Sequence, residues 1–110
     1  MGFNTVKEQL LAVAALREDS VDVGGVKFQV REVGAMEFAA YGQMLKTDRL
    51  KATATLIAAC VLDGPGGSAA LTVDDAVSIA RSARVSMPIV NKIMELSGFG
   101  DDAEKEPDAS

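Results

Sequence analysis

The chain has 110 residues, of which 48% are hydrophobic, and this supply is enough for one modest core and therefore one domain. Its formal charge of −5 is concentrated after Gly100: residues 1–100 carry 10 of the 11 basic and 11 of the 16 acidic side chains. A nearly neutral body lacks the clustered positive surface that phosphate-backbone binding requires, which argues against nucleic acid as the main partner.

The first predicted element is a helix near the amino terminus. Its apolar side chains recur at helical spacing, at Val6, Leu10, Val13 and Ala14. Asn4 or Thr5 can cap this helix, which we expect to run to about Arg17 with an apolar stripe on one face.

The pattern then changes to a period of two residues, which predicts a β-hairpin over about residues 20–33. The alternating apolar residues are Val21, Val23, Val26, Phe28 and Val30. Gly24 and Gly25 between the two runs can both take the positive φ of a two-residue loop, so that the apolar side chains share one face. A lone hairpin is marginally stable in water, and we expect helices to cover that face.

Two further helices follow in the sequence. Helical spacing returns over Met36–Leu45, although Gly42 weakens that segment by roughly 1 kcal/mol relative to alanine. Asp48 can cap a third helix that runs to about Leu62 and is apolar over most of its circumference. Such a helix is expected at the centre of the fold.

The second half of the chain begins with a loop over residues 63–68, which is rich in glycine and contains a proline. Thr72 then caps a fourth helix whose first turn holds Asp74 and Asp75. The segment Ser86-Met87-Pro88 predicts the start of a last helix, which Gly98 ends with Phe99 folded back onto the last turn.

The expected architecture is mainly α, with about five short helices and one N-terminal β-hairpin in a single domain over residues 1–99. Residues 100–110 are acidic, contain Pro107 and have no large apolar side chain. This composition predicts a disordered tail.

The sequence contains no histidine and a single cysteine, which excludes Ser-His-Asp and Cys-His catalysis and leaves little from which to build a zinc site. Cys60 lies in an apolar run and is interpreted as a buried hydrophobe in a reducing compartment. We expect no enzymatic activity and no metal or cofactor.

Three polar features have structural interpretations that we prefer to chemical ones. The glycine-rich loop lacks the lysine of a phosphate loop, which favours a connector. Asp74 and Asp75 are consecutive and point about 100° apart on a helix, which favours first-turn electrostatics over a carboxylate pair. Arg31, Glu32 and the lysines and arginine at 46–51 fit a solvated face better than a partner surface.

The amino terminus has no basic region followed by a hydrophobic stretch, and no apolar run approaches about 18 residues. From these features we expect neither an export signal nor a membrane span.

The chain holds more large apolar side chains than five short helices and a hairpin can obviously bury. The surplus comprises Phe3, Leu11, Leu45, Leu62, Ile79, Met87, Met94 and Phe99. Each one alone fits a generous core, but as a group they favour a partner-binding surface, used for self-association or for holding an apolar helix in a groove. These eight residues are the candidate partner-binding site.

The order of these segments resembles the tail assembly chaperones of long-tailed bacteriophages, which are encoded upstream of the tape measure gene. The resemblance spans most of residues 20–110. It is carried by the hairpin leading into Val30-Arg31-Glu32-Val33, by Leu56–Asp63 with its glycine-rich loop, by Leu71–Ala76, and by Ile93–Gly98 before a polar tail. Each segment is an ordinary helix, turn or cap, so the specificity lies in their order and spacing.

The resemblance implies a mainly helical chaperone in the bacterial host cytoplasm. Such a protein coats the aggregation-prone tape measure protein, brings tail tube subunits to it and is absent from the mature virion. The family also often makes a longer second product by ribosomal frameshifting. The alternative is a structural neck or tail subunit, or a generic phage adaptor, that uses the same apolar surface for permanent symmetric assembly.

Overall fold

A computed structural model describes residues 5–99 of the chain, which form five α-helices and one three-stranded antiparallel sheet. The helices are α1 (Val6–Ala14), α2 (Ala35–Leu45), α3 (Arg49–Cys60), α4 (Val73–Ala80) and α5 (Ala83–Leu96). The strands are β1 (Glu18–Val23), β2 (Val26–Arg31) and β3 (Val61–Leu62). The predicted mainly α fold with an N-terminal hairpin is confirmed. The predicted disordered tail and the candidate residue Phe3 lie outside the described residues.

The hairpin forms as its sequence predicts. Gly24 and Gly25 have φ angles of 61° and 85°, the positive values that a tight loop between two twisted strands requires. The resulting register pairs Val23 with Val26 and Val21 with Phe28. The apolar side chains therefore share one face of the sheet, which α5 covers.

Helix α3 lies at the centre of the molecule, as expected for a helix that is apolar on most sides. Asp48 caps it by accepting a hydrogen bond of 3.0 Å from the Lys51 amide. Its buried residues are Ala52, Ala54, Leu56, Ile57, Ala58 and Cys60. Helices α2, α4 and α5 all pack against α3, and the small alanine side chains allow this close approach.

The prediction that the third helix continues to Leu62 is wrong. Helix α3 ends at Cys60, and Val61 turns to extended geometry with φ −84° and ψ 125°. Val61 and Leu62 then add a third strand to the hairpin, opposite Val30 and Gln29. Periodicity cannot separate a buried strand from a buried helical turn in a short apolar run, whereas the open edge of β2 offers hydrogen-bond partners that favour the strand.

The prediction that Ser86-Met87-Pro88 starts the last helix is also wrong. Helix α5 begins at Ala83 after Ser82, and Pro88 lies inside it. The buried residues Ile89 and Ile93 lie beyond Pro88 on the face that packs against the core. Burial of this continuous face outweighs the intrahelical hydrogen bond that proline cannot donate. The predicted end of the helix is confirmed, because Gly98 has φ 91° and the Phe99 amide donates to the Met94 carbonyl at 2.8 Å.

The predicted cap of α4 is present: Thr72 accepts from the Asp75 amide at 3.1 Å, and the Asp75 carboxylate accepts from the Thr72 amide at 3.1 Å. This reciprocal pair accounts for one of the two first-turn aspartates.

Two ion pairs join the hairpin to the helices. Arg31 donates two hydrogen bonds to the Glu37 carboxylate, Nη1 to Oε1 at 2.9 Å and Nη2 to Oε2 at 2.7 Å, which attaches β2 to α2. Lys92 lies 3.0 Å from the Asp19 carboxylate and connects α5 to β1. Arg31 is therefore engaged within the fold.

Helix α1 leaves its apolar stripe exposed. It ends at Ala14, earlier than the expected Arg17, and every residue in it is exposed. Thr5 caps it, confirming one of the two predicted capping residues.

Candidate functional site

An apolar groove of about 590 Å³ lies at the turn end of the hairpin. Its lining residues are Val23, Gly24, Val26, Phe28, Val61, Leu62, Asp63, Ala70, Leu71, Ile79, Arg84, Val85 and Ile89. We call this surface the hairpin groove.

The hairpin groove exists because the turn end of the hairpin, β3 with the loop that follows it, and helices α4 and α5 meet there without filling the space between them. Val61, Leu62 and Ile89 are buried and belong to its floor. Val26 at the hairpin turn is 62% exposed and belongs to its wall.

The loop that follows β3 contributes Asp63, Ala70 and Leu71 to the lining of the groove. The Asp63 amide donates to Ser68 and the Ala70 amide donates to Val61, at 2.9 and 3.0 Å. These bonds fold the chain back along β3 and bring Leu71 to the groove.

The chemistry of the groove suits contact with an apolar partner. Asp63 and Arg84 are its only charged lining residues.

Cys60 lies nearby in the core, fully buried, and burial raises the pKa of its thiol to about 11, so it is a poor nucleophile. Within residues 5–99, no cluster of three His, Cys, Asp or Glu side chains could hold a metal ion, and no buried side-chain polar atom lacks a hydrogen-bond partner.

A second, smaller groove of about 360 Å³ lies where the start of α3 meets the end of α4 and the start of α5. It is more polar than the hairpin groove and contains Arg49 and Arg81 beside the apolar Leu50, Met87 and Val90. Of the lysines and arginine at 46–51, Arg49 lines this groove and the two lysines do not.

The structure places the candidate partner-binding residues on several separate surfaces. Leu62 and Ile79 line the hairpin groove, and Met87 lines the smaller groove. Leu11 lies exposed on α1. Phe99 stacks on Phe38 with ring centroids 4.9 Å apart, on the side formed by α2.

The remaining two candidates, Leu45 and Met94, are half-buried, and Met94 packs against the core. The seven candidates within the described residues therefore lie on separate surfaces, and two of them line the hairpin groove.

Sequence reasoning missed most of the groove. The alternating pattern predicts that Val26 is covered with the other apolar residues of the hairpin, whereas Val26 beside the turn is 62% exposed. Leu71, Val85 and Ile89 showed only the ordinary spacing of a core. Strand β3 contributes Val61 and Leu62 to the floor of the groove. The sequence pattern predicts a helix at these two residues.

The comparisons with known proteins leave the family open: no protein-family model, no curated protein and no solved structure matches this chain. Among residues 5–99, no helix combines the length and apolar character needed to span a bilayer.

Proposed function

We propose that this protein is a non-enzymatic tail assembly chaperone of a long-tailed bacteriophage. It acts in the host cytoplasm, where it binds the tape measure protein, helps recruit tail tube subunits and is absent from the mature virion. The segment order described above supplies the family. The hairpin groove is the observation that supports protein binding.

The groove fits an apolar segment of a client protein better than it fits a small polar substrate. Its volume of about 590 Å³ falls in the range of roughly 300–1,000 Å³ typical of ligand pockets, but its lining offers almost no polar groups to orient a substrate. An amphipathic helix needs only apolar side chains inserted at every third or fourth residue. Val26 and Leu71 on the walls and Ile89 on the floor supply such contacts.

The proposal is tested by co-expressing the protein with the tape measure protein encoded beside it. We expect a soluble complex that survives affinity purification through a tag on either component. Val26→Lys places a charge on the wall of the groove and should reduce recovery of the complex. Met36→Lys is the matched control, because Met36 is 85% exposed on α2 and lies in neither groove. A tape measure protein that stays insoluble, or that binds both variants equally well, contradicts the proposal.

Mass spectrometry of purified virions separates this function from a structural neck or tail subunit. A chaperone should be missing from finished particles, whereas a structural subunit should be present at a fixed copy number. The coding DNA near the stop codon gives an independent test, since a slippery heptamer followed by an overlapping −1 frame favours the chaperone.

A further inference from the structure

Strand β1 lies at an edge of the sheet, because within residues 5–99 the only strand that pairs with it is β2. An edge strand presents a row of backbone amides and carbonyls to which a strand of another molecule can add, and natural proteins protect such edges against this pairing. Strand β1 has six residues and contains no proline. Its length and its backbone chemistry would therefore permit another strand to pair with it.

The register of the hairpin identifies the backbone groups at this edge. In an antiparallel pair, residues that exchange hydrogen bonds with the partner strand alternate with residues whose amides and carbonyls point away from it. The Arg17 carbonyl accepts from the Glu32 amide at 2.8 Å, so Arg17 and every second residue after it bond to β2. The backbone groups of Glu18, Ser20 and Asp22 therefore point away from β2, and Ser20 is in the middle of this row.

The side chain of Asp19 occupies the middle amide of the edge. The Ser20 amide donates to Oδ1 of Asp19 at 2.8 Å, and Oδ2 of Asp19 lies 3.0 Å from Nζ of Lys92 on α5. The hydrogen bonds from Lys92 and from the Ser20 amide lower the pKa of Asp19 below its ordinary value, so its carboxylate is ionised at neutral pH. The Ser20 amide therefore has a charged acceptor within its own chain.

The pairing that this contact opposes most directly is that of two copies of β1. Both copies carry the same outward groups, and a twofold axis at Ser20 places the amide and carbonyl of each Ser20 opposite those of the other in antiparallel register. The same register overlaps the outward residues fully and places Glu18 of each copy opposite Asp22 of the other. Its central hydrogen bonds would come from the two Ser20 amides, which Asp19 already occupies.

We propose that Asp19, positioned by Lys92, closes the edge of β1 and so prevents two copies of this chain from joining their sheets edge to edge. Repulsion between Glu18 and Asp22 opposes the same pairing, but it acts between exposed side chains, where salt screens it. The inference goes beyond the proposed function, because it concerns self-association of the chain and needs no client.

Sedimentation equilibrium of full-length variants separates the closed amide from the repulsion. Asp22→Ala removes the repulsion and leaves the Ser20 amide bonded to Asp19, so we expect this control to sediment at the wild-type mass. The double variant Asp19→Ala/Asp22→Ala also releases the amide, and its mass should rise with concentration towards about twice the wild-type value. Adding Ser20→Pro to the double variant should restore the wild-type mass. Proline has no amide hydrogen to donate at the edge, and the ladder with β2 does not use that amide.

Far-UV circular dichroism establishes that each variant is folded, which is expected because the Asp19 and Asp22 side chains are exposed. If the double variant is unfolded, Asp19→Thr replaces Asp19→Ala, since threonine favours strands.

Three results overturn the inference. A folded double variant that keeps the wild-type mass shows that the edge is not closed by Asp19. An Asp22→Ala protein that associates as strongly as the double variant attributes the protection to charge alone. Association that persists after Ser20→Pro shows that another surface is responsible. None of these results depends on tape measure binding, so this inference and the proposed function fail separately.

Discussion

The ion pair between Arg31 and Glu37 gives the sharpest stability prediction, because the Glu37 carboxylate accepts three hydrogen bonds. Glu37 accepts two hydrogen bonds from the Arg31 guanidinium, at 2.9 and 2.7 Å. It also accepts one from the Gly34 amide at 2.9 Å, at the start of α2. Glu37→Gln keeps an oxygen for that amide and for one guanidinium hydrogen bond, so the substitution removes mainly the charge and one bond.

The expected magnitude follows from how far the pair is sheltered from water. The Arg31 and Glu37 side chains are 18% and 39% exposed, which places them between a surface pair and a buried one. An exposed pair contributes about 0–1 kcal/mol, and a hydrogen bond to a charged group about 1.5–3 kcal/mol. Since Gln retains part of the network, we expect the free energy of unfolding to fall by about 1 kcal/mol at pH 7.

The effect should depend on pH in a defined direction. The hydrogen bonds from Arg31 lower the pKa of Glu37 below its ordinary value, against the opposing effect of partial burial. A carboxyl group whose pKa is lowered by folding stabilises the protein above its unfolded pKa, about 4.3, and this contribution is lost as the pH falls through the folded value. The difference between wild type and Glu37→Gln should therefore shrink below about pH 4.

Urea unfolding followed by far-UV circular dichroism at pH 7 and pH 3 measures both parts of this prediction. Glu95→Gln is the control, because Glu95 is 66% exposed and lies 3.7 Å from Lys92; its unfolding midpoint should change little. Equal stability of wild type and Glu37→Gln at pH 7 would refute the reasoning, as would a difference that is unchanged at pH 3.

Three further substitutions or reactions test other parts of the fold. Pro88→Ala should raise the free energy of unfolding by up to about 3 kcal/mol in urea melts, because the alanine amide can donate to the Arg84 carbonyl; an unchanged midpoint would mean that this bond does not form. Gly25→Val should lower it by about 1–2 kcal/mol, since φ is 85° there, and a neutral result would contradict the turn geometry. Cys60, buried and with its pKa raised to about 11, should react with a thiol reagent at pH 8 only on unfolding; rapid labelling of native protein would contradict its burial.

The features that the sequence predicts well are those determined by local chemistry. Gly24 and Gly25 between two alternating runs specify a hairpin because few other residue pairs accept two positive φ angles. Thr72 and Asp48 cap their helices because their side chains reach amides only three residues away. Such interactions are determined by residues that are close in the sequence, and they do not depend on how the rest of the chain folds.

The features that the sequence predicts poorly depend on which distant surface is available. Val61 and Leu62 become a strand because the edge of β2 lies beside them, and their own side chains suit a helix nearly as well. Pro88 is tolerated inside α5 because the core holds Ile89 and Ile93 in place. In both cases long-range packing outweighs a local preference.

The candidate site illustrates the same distinction for function. Counting apolar side chains selects Leu62 and Ile79, which do line the hairpin groove, together with six residues that lie elsewhere or outside the described part of the chain. Whether an apolar residue forms part of a groove depends on the shape that its neighbours leave open, and composition carries no information on that shape. Val6, Leu10 and Val13 of α1 show the complementary case. Helical periodicity correctly indicates that this helix has an apolar face, but it cannot indicate whether that face is buried.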